Sequence, residues 1–221
     1  MLLVVIDAPY PSPATRRIHW RVPESVYQRV LGAQFDALAP GLRSYFSALD
    51  AGTVGRGSGV FEEAGSRRRL LTPVFAFLAT RRILFPESGR DVPFTVTNIP
   101  GPGEGLSARR EFHFPGRDRV MQDTMHVVDG RLHDFLGRRG GLEMRLELRV
   151  VDGSLHMRSD RAWLHLRALR LPLPGLFSAR VLLTESWVDG HQRVDVRMIH
   201  PLFGRIFGYA GTFAYAPVLL D

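Results

Sequence analysis

Leu142-Glu143-Met144-Arg145-Leu146-Glu147-Leu148-Arg149-Val150 alternates apolar and charged side chains without a fault. A strand sends successive side chains to opposite faces, so this stretch predicts a strand with one buried and one wet face. Asp152-Gly153 follows it, a tight-turn pair, and a second alternating run begins at once. The same grammar extends both ways. Strands are expected near 92–98, 106–114, 119–128, 131–138, 142–151, 154–159, 161–170, 180–188, 192–200 and 205–215, with further turns at Asp129-Gly130 and Asp189-Gly190. Pro172 and Pro174 break the ladder and predict a loop at one rim. The fold class expected is α+β, mostly antiparallel β. A curved sheet closes to a barrel or half-barrel, with N-terminal helices and one helix packed against or inside it.

Upstream of the ladder the pattern changes. Residues 1–22 read as an extended lead, with Pro9, Pro11 and Pro13 among small residues, and the first six residues are an optional edge strand. Residues 23–221 read as one domain. Ser25 is a candidate N-cap for a helix carrying Val26, Tyr27, Val30 and Leu31, ended by Gly32. A second helix is expected from Phe35 or Asp36, interrupted near Pro40-Gly41 and continuing through Tyr45 and Phe46 to Leu49. Thr53 to Glu63, with Gly55, Gly57 and Gly59, reads as a weak strand that something approaches closely. Arg68 to Leu84 reads as a helix whose regular part begins near Leu71 or Thr72, because Pro73 is tolerated only in a first turn. Arg67-Arg68-Arg69 and Arg81-Arg82 flank its apolar middle. Two readings stand: a core helix plugging the curved sheet, or a helix making transient contact with a membrane or lipid-like ligand.

Composition narrows the chemistry. There is no cysteine, which removes disulfides, thiolate metal sites and cysteine nucleophiles and fits a cytoplasmic protein. All 29 basic residues are arginine, so lysine Schiff-base chemistry is excluded. The net charge of +7 points toward nucleic acid, but the arginines are spread along the chain and alternate with apolar residues, as on solvent faces of strands; no nucleic-acid partner is expected. No His-Glu-x-x-His or His-x-His spacing suggests a metal, no Gly-x-Ser-x-Gly suggests a hydrolase elbow, and no Gly-x-Gly-x-x-Gly suggests a dinucleotide.

What remains is acid–base chemistry. Asp123 lies between Met121 and Met125, Glu185 between Leu183 and Trp187, and His200 follows Val194, Val196 and Met198, each at the parity of its apolar neighbours. A carboxylate among apolar side chains has its pKa raised and can exchange a proton near neutrality. Glu185, Asp123, His200 and His126 are the candidate catalytic residues, and the competing reading for the acids is a structural salt bridge to arginine. Trp163, Trp187, Tyr209 and Phe75 are candidate ligand walls, and Arg109-Arg110 offers one guanidinium to each face for a ligand oxyanion.

The stretches Tyr27-Gln28-Arg29-Val30-Leu31-Gly32, Gly89-Arg90-Asp91-Val92-Pro93-Phe94-Thr95-Val96, Arg110-Glu111-Phe112, Leu171-Pro172-Leu173-Pro174 and His200-Pro201-Leu202-Phe203-Gly204-Arg205 occur in the order that resembles a bacterial family, domain of unknown function 4166, over roughly residues 24–215. Members often follow a dehydrogenase-like nucleotide-binding domain, so the resemblance implies a stand-alone version. The expected function is a cofactor-independent enzyme of cyclase, isomerase or dehydratase type, with a role in secondary metabolism, working on an apolar small molecule in the barrel. The alternative is a non-catalytic carrier of a lipid or other hydrophobic ligand.

Overall fold

A computed structural model describes residues 23–219 apart from 168. The lead over 1–22, with its optional edge strand, lies outside the described residues. In chain order the elements are α1 (Val26–Leu31), α2 (Pro40–Phe46), β1 (Thr53–Gly65), α3 (Thr72–Thr80), β2 (Ser88–Gly101), β3 (Gly105–Phe114), β4 (Arg117–Val128), β5 (Arg131–Leu136), β6 (Leu142–Val151), β7 (Ser154–Leu166), β8 (Leu169–Pro172), β9 (Arg180–Val188), β10 (His191–His200) and β11 (Gly204–Leu219). Every strand pairs antiparallel with its neighbours. β1 to β7 follow one another, β9, β10 and β11 continue the round, and β11 pairs back onto β1 from Thr53↔Leu219 to Gly65↔Gly208. The result is a closed barrel of ten strands. β8 stands outside the closure: β7 pairs with β9 through Leu155–Arg158, then with β8 through Trp163–Leu166. Closure leaves no long open edge in the barrel wall.

Three bulges shape the wall. One follows Phe61 on β1, one lies opposite Met198/Ile199 of β10, and one lies opposite Arg145/Leu146 of β6. In the last, Asp160 is the extra residue on β7, held outside by Arg145, whose Nε donates to its Oδ1 at 2.9 Å. The extra residue changes which face the rest of β7 presents. The expected strands 154–159 and 161–170 are therefore one bulged strand, followed by the short β8.

The glycine-rich stretch is a full strand, and its glycines make room for aromatic rings. A Cβ on Gly55 would occupy the place of the Tyr215 hydroxyl, and one on Gly59 would collide with the backbone of Thr212 and Phe213. Bare backbone lets Phe213 and Tyr215 of β11 lie across β1 at the seam.

Two apolar layers fill the barrel. Toward one end, Phe61, Phe85, Phe94, Phe112 and Phe207 pack with Phe75 of α3. Toward the other, α1 and α2 drive Tyr27, Leu31, Leu42 and Phe46 onto Met125, Leu132, Leu146 and Leu155. The first helix matches the sequence expectation, and the second and third are shorter than it. α1 begins at Ser25 with a capping box to Gln28 and ends at Gly32, whose φ is 52°. Pro40 starts α2 rather than interrupting a longer helix, because its missing N–H costs nothing at the first turn. α3 stops at Thr80; Ile83, Leu84 and Phe85 continue as buried non-helical chain. It packs against the barrel end.

Candidate functional site

Between the two apolar layers runs a belt of polar side chains. On β4 and β5 its members stand between the two layers. On β4, Asp123 stands between Met121 of one layer and Met125 of the other; on β5, Asp134 stands between Leu136 and Leu132. β3 contributes Arg110, β9 Glu185, β10 Gln192 and β11 Tyr209. The structure thus brings Asp123, Glu185, Tyr209 and Arg110 of the sequence-predicted residues into one interior.

Their roles divide. Arg110 Nη1 donates to Asp123 Oδ1 at 2.7 Å, with the carboxylate almost wholly buried. Asp123 is therefore committed to an internal ion pair. Burial holds the Asp134 carboxyl well above the usual range, with the charge of Asp123 adding to the effect. Burial also raises Glu185, to about 7, against the opposing hydrogen bond from Gln192 and the more distant charge of Arg110. Gln192 donates its amide N–H to Glu185 Oε2. Two buried polar atoms, Asp134 Oδ1 and Gln192 Oε1, have no partner among the described residues. Tyr209 is pushed up to about 12, first by burial. The interior therefore holds one ion pair and two carboxyls that tend to keep their protons.

A cavity of ≈ 140 Å³ opens beside α1 and α2 and is lined by Tyr27, Tyr45, Asn98, Leu106 and Tyr215. Asn98 Nδ2 donates to the Tyr215 hydroxyl at 3.3 Å and to that of Tyr45 at 3.5 Å. Burial raises both Tyr27 and Tyr45, and in each the charge of Glu185 adds to the effect. The cavity and the belt are thus electrostatic neighbours.

The other predicted residues lie elsewhere. His126 alternates with Met125 and so faces outward, across from His133 and beside Phe135. His200 shares parity with Val194, but it is the last residue of β10, paired with Gly204; its Nδ1 accepts from Leu202 N–H within the turn. Trp163 is turned outward by the bulge at Asp160 and stacks on His133, with Arg170 over its ring at 3.9 Å. Trp187 keeps the inward parity of Glu185 but lies at the rim, half-exposed, where its ring covers Gly41 of α2. Arg109 faces outward to Glu111, and Phe75 belongs to the apolar layer under α3.

Sequence reasoning missed Asp134, Gln192 and Asn98, although parity carried the signal. Asp134 lies between Leu132 and Leu136, and Asn98 follows Val92, Phe94 and Val96. It also missed an outer cluster. Glu143 sits on the nominally wet face of β6, yet it is buried and accepts from Arg170 Nε at 2.8 Å, His133 at 2.6 Å and His165 at 2.6 Å. Burial alone would raise Glu143; those hydrogen bonds, led by that of Arg170, lower it to about 2. No group of three or more candidate metal ligands occurs among the described residues.

A family model described as "Domain of unknown function (DUF4166)" matches residues 38–213, and the chain belongs to that family. The stretch Tyr27 to Gly32 lies outside the matched residues. The chain is similar to the uncharacterized protein YndH of Bacillus subtilis (strain 168), 27% identical over 199 residues that span 86% of this chain and 96% of that protein. Among solved structures it aligns with the H959F variant of the PpsC dehydratase domain from Mycobacterium tuberculosis at 5% identity, over 90% of this chain and 84% of that one; the TM-score of 0.19 gives that likeness no weight for fold or function.

Proposed function

We propose that the barrel interior binds a small, largely apolar metabolite and that Glu185 moves a proton to or from it, in an isomerisation, cyclisation or dehydration that uses proton transfer and shape alone. The observation that carries this reading is the state of Glu185: buried, hydrogen-bonded to a neutral amide, paired to no arginine among the described residues, and raised to about 7. A carboxyl with that pKa exchanges protons readily at neutral pH, which is what a general acid or base requires. Arg110 has guanidinium N–H groups beyond the one given to Asp123, and these can meet an oxyanion that develops on a ligand. The unpartnered oxygens of Asp134 and Gln192 are further anchoring points for polar ligand atoms. An isomerisation in which Glu185 takes a proton from one carbon and returns it to another needs no further reagent. The cavity beside Tyr45 and Asn98 is the natural entry, and its ≈ 140 Å³ requires α1 and α2 to shift for anything but a small ligand.

The carrier reading draws support from a different observation: Asp123 is already ion-paired, and both layers around the belt are apolar. Native mass spectrometry of the parent and Glu185→Gln proteins, as purified from cells, separates the two. The expected result is a bound compound in both, converted in the parent and unconverted in the variant. Added back to the parent, the unconverted compound should turn over faster as pH rises through about 7 if Glu185 acts as the base. The same compound in both proteins, unchanged by the parent, selects the carrier. No bound compound in either protein sinks the reading of the interior as a ligand site.

A further inference from the structure

The α3 end of the barrel carries a surface that the interior does not explain. α3 turns Phe75 inward and leaves Val74 and Phe77 exposed by 53% and 58%, and the turn just before it, Arg69–Leu71, leaves Leu70 exposed by 78%. Val74 and Phe77 are three residues apart in the helix, so they share one outward face. Two other segments bring exposed apolar residues to the same end. The turn between β10 and β11 presents Leu202, exposed by 66%, and Arg68 Nε reaches the Arg205 carbonyl beside it at 3.3 Å. The loop between β8 and β9 presents Phe177, exposed by 73%, while its neighbours Leu173 and Ala179 pack on the same apolar layer as α3.

Arginines surround this apolar surface. A cleft of ≈ 530 Å³ between β1, β2 and β11 is lined by Arg67, Arg68, Arg90 and Arg205, and among the described residues the single acid in its lining is Glu63. Glu63 is shared by Arg67 and Arg205, so the cleft carries a net charge of +3 from four arginines and one glutamate. At the other end of α3, Arg81 lies over the Phe77 ring at 5.3 Å. Large apolar side chains ringed by cations match the two components of an anionic bilayer surface: acyl chains to receive Val74 and Phe77, and phosphate headgroups to meet the guanidinium groups.

We propose that this end of the barrel docks on membranes rich in anionic phospholipid, with the α3 face inserted at the headgroup level and the arginine cleft taking a headgroup phosphate. The contact is peripheral; among the described residues no helix is long and apolar enough to cross a membrane. The proposal rests on the outer surface and stands independently of what the interior does.

Flotation of the full chain with phosphatidylcholine vesicles, with and without phosphatidylglycerol, tests it. The protein should float with the anionic vesicles, less so with neutral ones, and binding should weaken as salt is raised. Val74→Asp with Phe77→Asp, and separately Arg68→Glu with Arg90→Glu, should each reduce the bound fraction by on the order of tenfold or more. These side chains are exposed, and circular dichroism checks that the variants remain folded. No flotation with anionic vesicles overturns the proposal, as does equal flotation of the parent and the Val74/Phe77 variant. Binding of inorganic phosphate in solution without vesicle binding makes the cleft a soluble-anion site and also overturns it. So does a dimer in solution that the same variants convert to monomer without any vesicle binding.

Discussion

Asp123 and Glu185 enter the barrel by the same rule and meet different fates. Each sits at apolar parity on its strand, but Asp123 faces Arg110 at 2.7 Å, whereas Glu185 faces an amide. Removing one partner of the first pair strands a buried charge. Asp123→Asn should cost about 3–5 kcal/mol in denaturant unfolding, and joining it with Arg110→Met should recover part of that loss. Glu185 predicts a pH dependence of stability. Its folded pKa, about 7, lies above the ordinary 4.5, so the folded state keeps a proton that the unfolded chain releases. Stability from this group is intact below about pH 4.5, falls as pH rises toward 7, and is lost above that, by on the order of 3 kcal/mol. Glu185→Gln should therefore match the parent near pH 4 and exceed it at pH 8 in urea midpoint. An equal gap at both pH values would contradict the raised pKa.

At the scale of elements, one extra residue decides where a tryptophan points. Without Asp160 outside the ladder, Trp163 would share the inward parity of Leu155, Met157 and Ser159; with it, Ala162 turns inward and Trp163 outward. That outward ring and Arg170 of β8 cover Glu143 and hold β8 against the barrel wall. Glu143→Gln should loosen β8 and cost about 1–3 kcal/mol, moderated because Arg170 is half-exposed. Glu143 is lowered from 4.5 to about 2, so its contribution is present above pH 4.5 and disappears as pH falls toward 2. Hydrogen exchange of the β8 amides across that acid range checks both statements.

For the whole molecule the decisive contact joins the first strand to the last. β1 pairs along its whole length with Gly208–Leu219 of β11, although more than a hundred residues separate the two strands in sequence. The seam depends on small residues where β11 places its rings. Gly59→Val should collide with the backbone of Thr212 and Phe213 and cost about 2 kcal/mol or more, seen as a lowered unfolding midpoint. Closure also turns two separate apolar layers into lids for one polar belt. α1 and α2 seal one end and α3 with Ile83–Phe85 the other, so burial raises every carboxyl in the belt that lacks an arginine partner.

Alternation and Asp-Gly turns made most strand positions legible, because a strand with one wet face must repeat every second residue. The same rule placed Asp123, Glu185 and Tyr209 on the inward face before any contact was known. It could not place Trp163, since a bulge is a change of phase that depends on the partner strand, nor His200, since the strand ended there. Ion pairs were equally hidden. Every arginine looks alike in a chain with 29 of them, and only closure of the barrel put Arg110 beside Asp123 and, among the described residues, left Glu185 without one. Local periodicity fixes which face a side chain occupies; which charge it meets across that face depends on strands far apart in sequence, and therefore on the tertiary structure alone.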